Sequence, residues 1–113
     1  VAIAAILGLV NVELLVVPDC PNGSAAADLL RGALDHSGLS DVEFDITTVS
    51  SQVEADRRHF TGSPSFFVND KDAFPNLGAA PAVACRIYWL EGRMSGLPSP
   101  DELESVIASA VSH

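Results

Sequence analysis

Two stretches decide how this chain reads: VELLVVPDCPN at residues 12–22 and GSPSFFVN at residues 62–69. The first opens with an apolar run rich in β-branched residues, Val12 to Val17, bounded by Pro18 and Asp19. That pattern predicts a short buried strand. Cys20 follows at the strand's end, and Pro21 occupies a favourable first position for a helix. In the second stretch a proline, Pro64, stands just ahead of another strand, Ser65 to Val68, with Gly62 and Ser63 supplying a tight turn.

Working outward, Ala25, Leu29, Leu30, Ala33 and Leu34 recur at helical spacing until Ser37 and Gly38 close the first helix. Val42, Phe44 and Ile46 alternate with Glu43, Asp45 and Thr47, which predicts a half-buried strand. Ser50 or Ser51 caps a second helix, with Val53, Ala55 and Phe60 as its apolar positions and Gly62 as its stop. Residues 70–83 read as a turn-rich connection broken by Pro75, Gly78 and Pro81. A fourth strand is expected over 83–90, and a last helix over 101–111 with Leu103, Val106, Ile107 and Ala110 on one face. Strands separated by helices pair in parallel through right-handed crossovers, and the last two strands pair as an antiparallel hairpin. The fold class is therefore α/β: a mixed four-stranded sheet flanked by helices on both faces, in the order β-α-β-α-β-β-α.

That order, the strand–Cys–Pro–helix start, the Gly–Ser–Pro before the third strand and the closing hairpin and helix together resemble the thioredoxin-like superfamily. More narrowly, residues 12–111 are similar to small bacterial thioredoxin-fold proteins of unassigned role. The resemblance implies that Cys20 is the reactive thiol and that Pro64 has a cis peptide bond beside it. It also implies that Ser63 presents backbone N–H and C=O groups on which an extended peptide can add as a strand. Pro21, Asn22, Ser63 and Pro64 then form the substrate-binding surface. One departure matters: the sequence runs Cys20-Pro21-Asn22-Gly23, so Gly23 occupies the position of the resolving cysteine. A disulfide across that turn is excluded, and a monothiol route remains in which an outside thiol resolves the mixed disulfide.

Cys20 itself is read from its position. Free backbone N–H groups at a helix start favour an anion, hence a thiolate, while the adjacent Asp19 opposes it. Asn22 or Ser24 is placed to bond the sulfur or the helix start. Cys85, at the start of the expected fourth strand, reads as a buried core cysteine at the opposite pole from Cys20. Only if the 70–83 connection folds back over the Cys20 end do the two sulfurs meet. His59, at the end of the second helix, is either a proton carrier facing Cys20 or a residue bonded to the last helical carbonyls. Phe66 and Phe67 enter opposite core layers. Tyr88 and Trp89 face opposite ways, and an exposed aromatic on an edge strand would seed a homodimer.

Composition bounds the remaining function classes. The 113 residues suit one domain, and at 48% hydrophobic content the chain has the material for a core. Fifteen acidic residues against six Lys and Arg give a net charge of -9. That balance disfavours nucleic acid and an anionic membrane surface as partners. No His, Cys and carboxylate set has metal-ligand spacing and no phosphate loop occurs, so neither metal nor cofactor is expected. The apolar opening VAIAAILGLV lacks a basic region ahead of it, and Asn11 and Glu13 interrupt it before it can span a bilayer. Residues 1–11 are therefore read as a hydrophobic lead-in to a domain at 12–113, with a cytoplasmic address by default. Two main readings stand, and whether the chain is an enzyme is left open. One is monothiol exchange with a protein or a low-molecular-weight thiol or disulfide. The other is a non-catalytic binding module for a peptide, protein or small molecule. An oligomerisation module built on the apolar lead-in and the edge strand is the third.

Overall fold

The structure is a computed structural model that describes residues 10–76, 78–90 and 92–111; the lead-in at 1–9 lies outside them. Its first strand, β1 (Val12–Val16), is the centre of the fold. Parallel to it on one side lies β2 (Phe44–Thr48), and antiparallel on the other lies β3 (Ser65–Val68). A fourth strand, β4 (Lys71–Asp72), completes a mixed sheet of order β2-β1-β3-β4. Among the described residues three helices are interleaved: α1 (Gly23–His36), α2 (Gln52–Arg58) and α3 (Pro100–Val111). Sheet strands and helices thus follow the expected order β-α-β-α-β-β-α.

The near-continuous apolar run of β1 is explained by burial on both faces, as a central strand requires. Val12, Leu14 and Val16 point into a cluster with Leu30 and Leu34 of α1, Phe66, and Leu103 and Ile107 of α3. Leu15 points the other way, to Val49, Ala55, Phe60 and Phe67 beneath α2. Phe66 and Phe67 therefore divide between the two layers as their alternation predicts. Glu13, the one carboxylate in β1, faces α2, where Arg58 pairs with it and the Thr47 hydroxyl donates to it at 2.6 Å. Burial pushes the Glu13 carboxyl up, but the hydrogen bonds from Arg58 and Thr47 and the Arg58 charge outweigh it, leaving the group below its ordinary range.

Local signals set the helix ends. Ser51 Oγ accepts the Glu54 N–H at 3.2 Å, and Ser99 Oγ accepts the Glu102 N–H at 3.1 Å while the Ser99 N–H donates back to Glu102. The second pair is a reciprocal capping box. Two apolar residues expected inside lie outside: Val53 is 73% exposed and Ile46 56% exposed. Val53 sits in the first turn of a seven-residue helix, and Ile46 on the edge strand, where no described residue covers it.

The fourth strand is not where the pattern places it. Asn69 and Asp70 both take positive φ (53° and 65°), the geometry of a two-residue hairpin turn. The chain therefore doubles back at once, and Val68 pairs with Lys71. Residues 88–90 instead form β5 (Tyr88–Leu90), paired with β6 (Arg93–Ser95) as a separate hairpin. Tyr88 is buried and Trp89 is 65% exposed, opposite the exposed Met94. No helix among the described residues is long and apolar enough to cross a membrane.

Candidate functional site

At the C-terminal end of β1 the backbone turns sharply. Pro18 and Asp19 (φ 56°) occupy the middle of a turn closed by the Cys20 N–H donating to Val17 O at 3.3 Å. Proline second and positive φ third is the type II pattern, and Asp tolerates the left-handed conformation better than most residues. A further turn follows, with Gly23 N–H donating to Cys20 O at 3.1 Å, before α1 begins. Pro21 is exposed in this turn and is not the first helical residue; Asn22 is the N-cap and Gly23 starts the helix. Two turns in succession use up the residues that a direct strand-to-helix step would put in the helix. Cys20 accordingly stands before the cap, not on it. Asn22 makes no side-chain cap bond, and its amide packs so closely against Gly96 that a Cβ added there would collide with Nδ2.

What meets Cys20 comes from the approach to β3. Ser63 is 1% exposed, accepts the Val17 N–H on its hydroxyl at 3.0 Å, and donates that hydroxyl to Cys20 Sγ at 3.0 Å. The Ser63–Pro64 peptide is cis, and Pro64 is fully buried. The fold thus gathers Cys20, Ser63 and Pro64 at one end of the sheet, with Pro21 and Asn22 on the adjoining turn. Cys20 is half-buried, so its sulfur is held by a neighbour while part of the residue remains open to solvent.

The backbone of Ser63 is already engaged. Its N–H donates to Ala84 O at 2.8 Å and its C=O accepts the Arg86 N–H at 2.9 Å, pairing Ser63 with Cys85 in a parallel bridge. A segment of the same chain therefore fills the edge at which an added peptide strand was expected. Buried Arg86 anchors it: the guanidinium donates to Asp72 at 2.8 Å, to Ser65 Oγ at 3.1 Å and to Phe74 O, and lies 4.8 Å from the Tyr88 ring centre. Tyr88 Oη donates to Pro64 O at 2.7 Å, and burial pushes its phenol well above the ordinary range. Phe66, Phe74 and Tyr88 stack edge to face around this anchor.

Cys85 is consequently neither a core residue nor at the opposite pole; it is exposed and sits beside the Cys20 end. The reason is the tight Asn69–Asp70 hairpin. It sends β4 back toward Cys20 well before a strand opening at 83 would begin, so residue 85 lies beyond that return. The same dipeptide is the sequence signal for the return of β4. Both cysteines are free thiols. His59 caps α2 in the left-handed conformation, its N–H bonded toward Asp56 O at 3.3 Å, and it lines a shallow cleft with Thr61 and Asp72. It is therefore a helix-end residue. His36 pairs with Glu104, tying α1 to α3.

Among the described residues, no group of three His, Cys, Asp or Glu side chains is arranged to hold a metal. A cleft of about 400 Å³ opens elsewhere, between β4 and α3, lined by Val68, Lys71, Asp72, Val106 and Ala110. Compared with protein-family models, curated proteins and solved structures, the chain matches none.

Proposed function

We propose that this is a thioredoxin-like protein in which Cys20 performs thiol–disulfide exchange with a low-molecular-weight or protein thiol or disulfide. The observation that carries the reading is the Ser63 hydroxyl donating to Cys20 Sγ at 3.0 Å, where the chain leads into β3. In the first step the Cys20 thiolate attacks one sulfur of a disulfide R–S–S–R. A Cys20–S–S–R bond forms and RS⁻ leaves, taking a proton from solvent. Occupation of the Ser63 edge by residues 84–86 favours a compact disulfide over an extended peptide, because strand addition needs those backbone groups free.

A test uses the Cys85→Ser protein, in which Cys20 is the sole thiol. Exposure to oxidised glutathione should yield a single mixed disulfide on Cys20, seen by intact mass and peptide mapping and reversed by a reductant. A Cys20 that stays unmodified in the folded protein while reacting once it is unfolded would sink the reading. A non-catalytic binding module is the second reading, supported by the 400 Å³ cleft between β4 and α3. Its signature is saturable binding of a small apolar ligand that survives Cys20→Ser.

A further inference from the structure

Resting on the exchange reading above, we infer that Cys85 is the resolving thiol of this protein, closing an intramolecular disulfide with Cys20 through the Ser63 bridge. Three observations converge on it. Ser63 touches both sites: its hydroxyl is 3.0 Å from Cys20 Sγ, and its backbone pairs it in register with Cys85. Register partners lie on adjacent strands roughly 4.8 Å apart and carry their side chains on the same face. Alternation agrees, since Arg86 turns inward to Asp72 and Ser65 while Cys85 is exposed.

The segment carrying Cys85 is also fixed in place. Arg86 bonds Asp72, Ser65 and Phe74, and two residues further on Tyr88 bonds Pro64. A resolving thiol must reach the mixed disulfide without waiting for a long loop to close, and this anchoring meets that need. The role that Gly23 cannot fill is thereby taken by a different part of the chain.

The chemistry balances with a small disulfide as the oxidant. Cys20 thiolate attacks oxidised glutathione, giving Cys20–S–S–glutathione and one glutathione thiolate. Cys85 thiolate then attacks Cys20 Sγ; the Cys20–Cys85 bond forms and the second glutathione thiolate leaves. Two protein thiols are oxidised, one disulfide is reduced to two thiols, and the protons of the two cysteines pass to the released glutathione.

The experiment compares the reduced full chain with Cys85→Ser and Cys20→Ser at low protein concentration, oxidised with glutathione disulfide and quenched in acid. The unaltered protein should become a monomer lacking two hydrogens, with the peptides containing Cys20 and Cys85 joined. Its glutathione adduct should be transient, whereas that of Cys85→Ser should persist roughly tenfold longer or more, as expected for losing an intramolecular partner. A stable Cys20–glutathione adduct with Cys85 still free in the unaltered protein would overturn the inference, as would a Cys85-linked dimer as the sole oxidised product. The first result leaves the exchange reading standing, and after the second it stands or falls with the Cys20 adduct of the Cys85→Ser protein. A Cys20 inert in every variant would remove both.

Discussion

Gly23→Cys, made in the Cys85→Ser protein, should create a disulfide between Cys20 and the new thiol at position 23 with little distortion. A Cβ built at Gly23 lies 3.7 Å from Cys20 Cβ and 3.9 Å from Val16 Cγ1, both ordinary contact distances. Disulfide-bonded cysteines have Cβ atoms about 3.5–4.5 Å apart, so the site already has the required spacing. A loop of four residues closed by the bond removes unfolded-state entropy worth about 2 kcal/mol. For a domain of this size that corresponds to a rise in Tm of roughly 6–12 °C. Comparing oxidised and reduced forms of the same variant isolates the cross-link from the loss of glycine at the helix start. Free-thiol counts and thermal melts by circular dichroism supply the readout. Two free thiols after oxidation, or a lower Tm in the oxidised form, would refute the turn geometry around Cys20 and with it the account of how β1 delivers the thiol.

The remaining predictions concern the groups that hold this end together. Arg86→Met should cost about 2–4 kcal/mol in denaturant unfolding, because it leaves Asp72 partly buried without its cation and Ser65 and Phe74 without a donor; a change within about 1 kcal/mol would mean the anchor is not needed. Ser63→Ala should cost about 1–2 kcal/mol through the orphaned Val17 N–H. In a double-mutant cycle with Cys20→Ala, a coupling of about 0.5–1 kcal/mol is expected for the 3.0 Å hydrogen bond, and strict additivity would deny the contact. Glu13 is held below its ordinary value of 4.5, so its contribution is fully present above that pH and is lost as pH falls through its lower folded value. Glu13→Gln should therefore destabilise by about 1–2 kcal/mol at neutral pH, with the gap to the unaltered protein closing in acid; a gap independent of pH would contradict the Arg58 pairing.

The elements with strong local codes were readable. An apolar run ending in Pro-Asp, helical spacing through Leu34, the serine cap of α2 and the Phe66–Phe67 alternation each act over a few residues. They also order the sheet, since helices between strands leave few ways to pair them. The meeting of Cys20 with Ser63 and Pro64 was expected from the resemblance and not from these signals: helix-separated strands were expected to pair in parallel, whereas β3 runs antiparallel to β1 and so begins where β1 ends.

The course of the chain after Val68 was not readable in the same way. A two-residue strand carries almost no periodic signal, so β4 was hidden in a stretch that looks like pure connection. The apolar run at 83–90 resembles a sheet strand, yet Tyr88 is drawn to the Pro64 carbonyl and Arg86 to Asp72, and these long-range bonds decide where the segment lies. By itself, then, the sequence determined the fold class and the thiol's place at the end of the central strand. Tertiary structure alone decided that Ala84 to Arg86 would close the edge at Ser63, pairing Cys85 with the residue whose hydroxyl bonds Cys20. Local propensity acts through neighbours in the chain, whereas a buried arginine takes its position from partners 12 to 21 residues away.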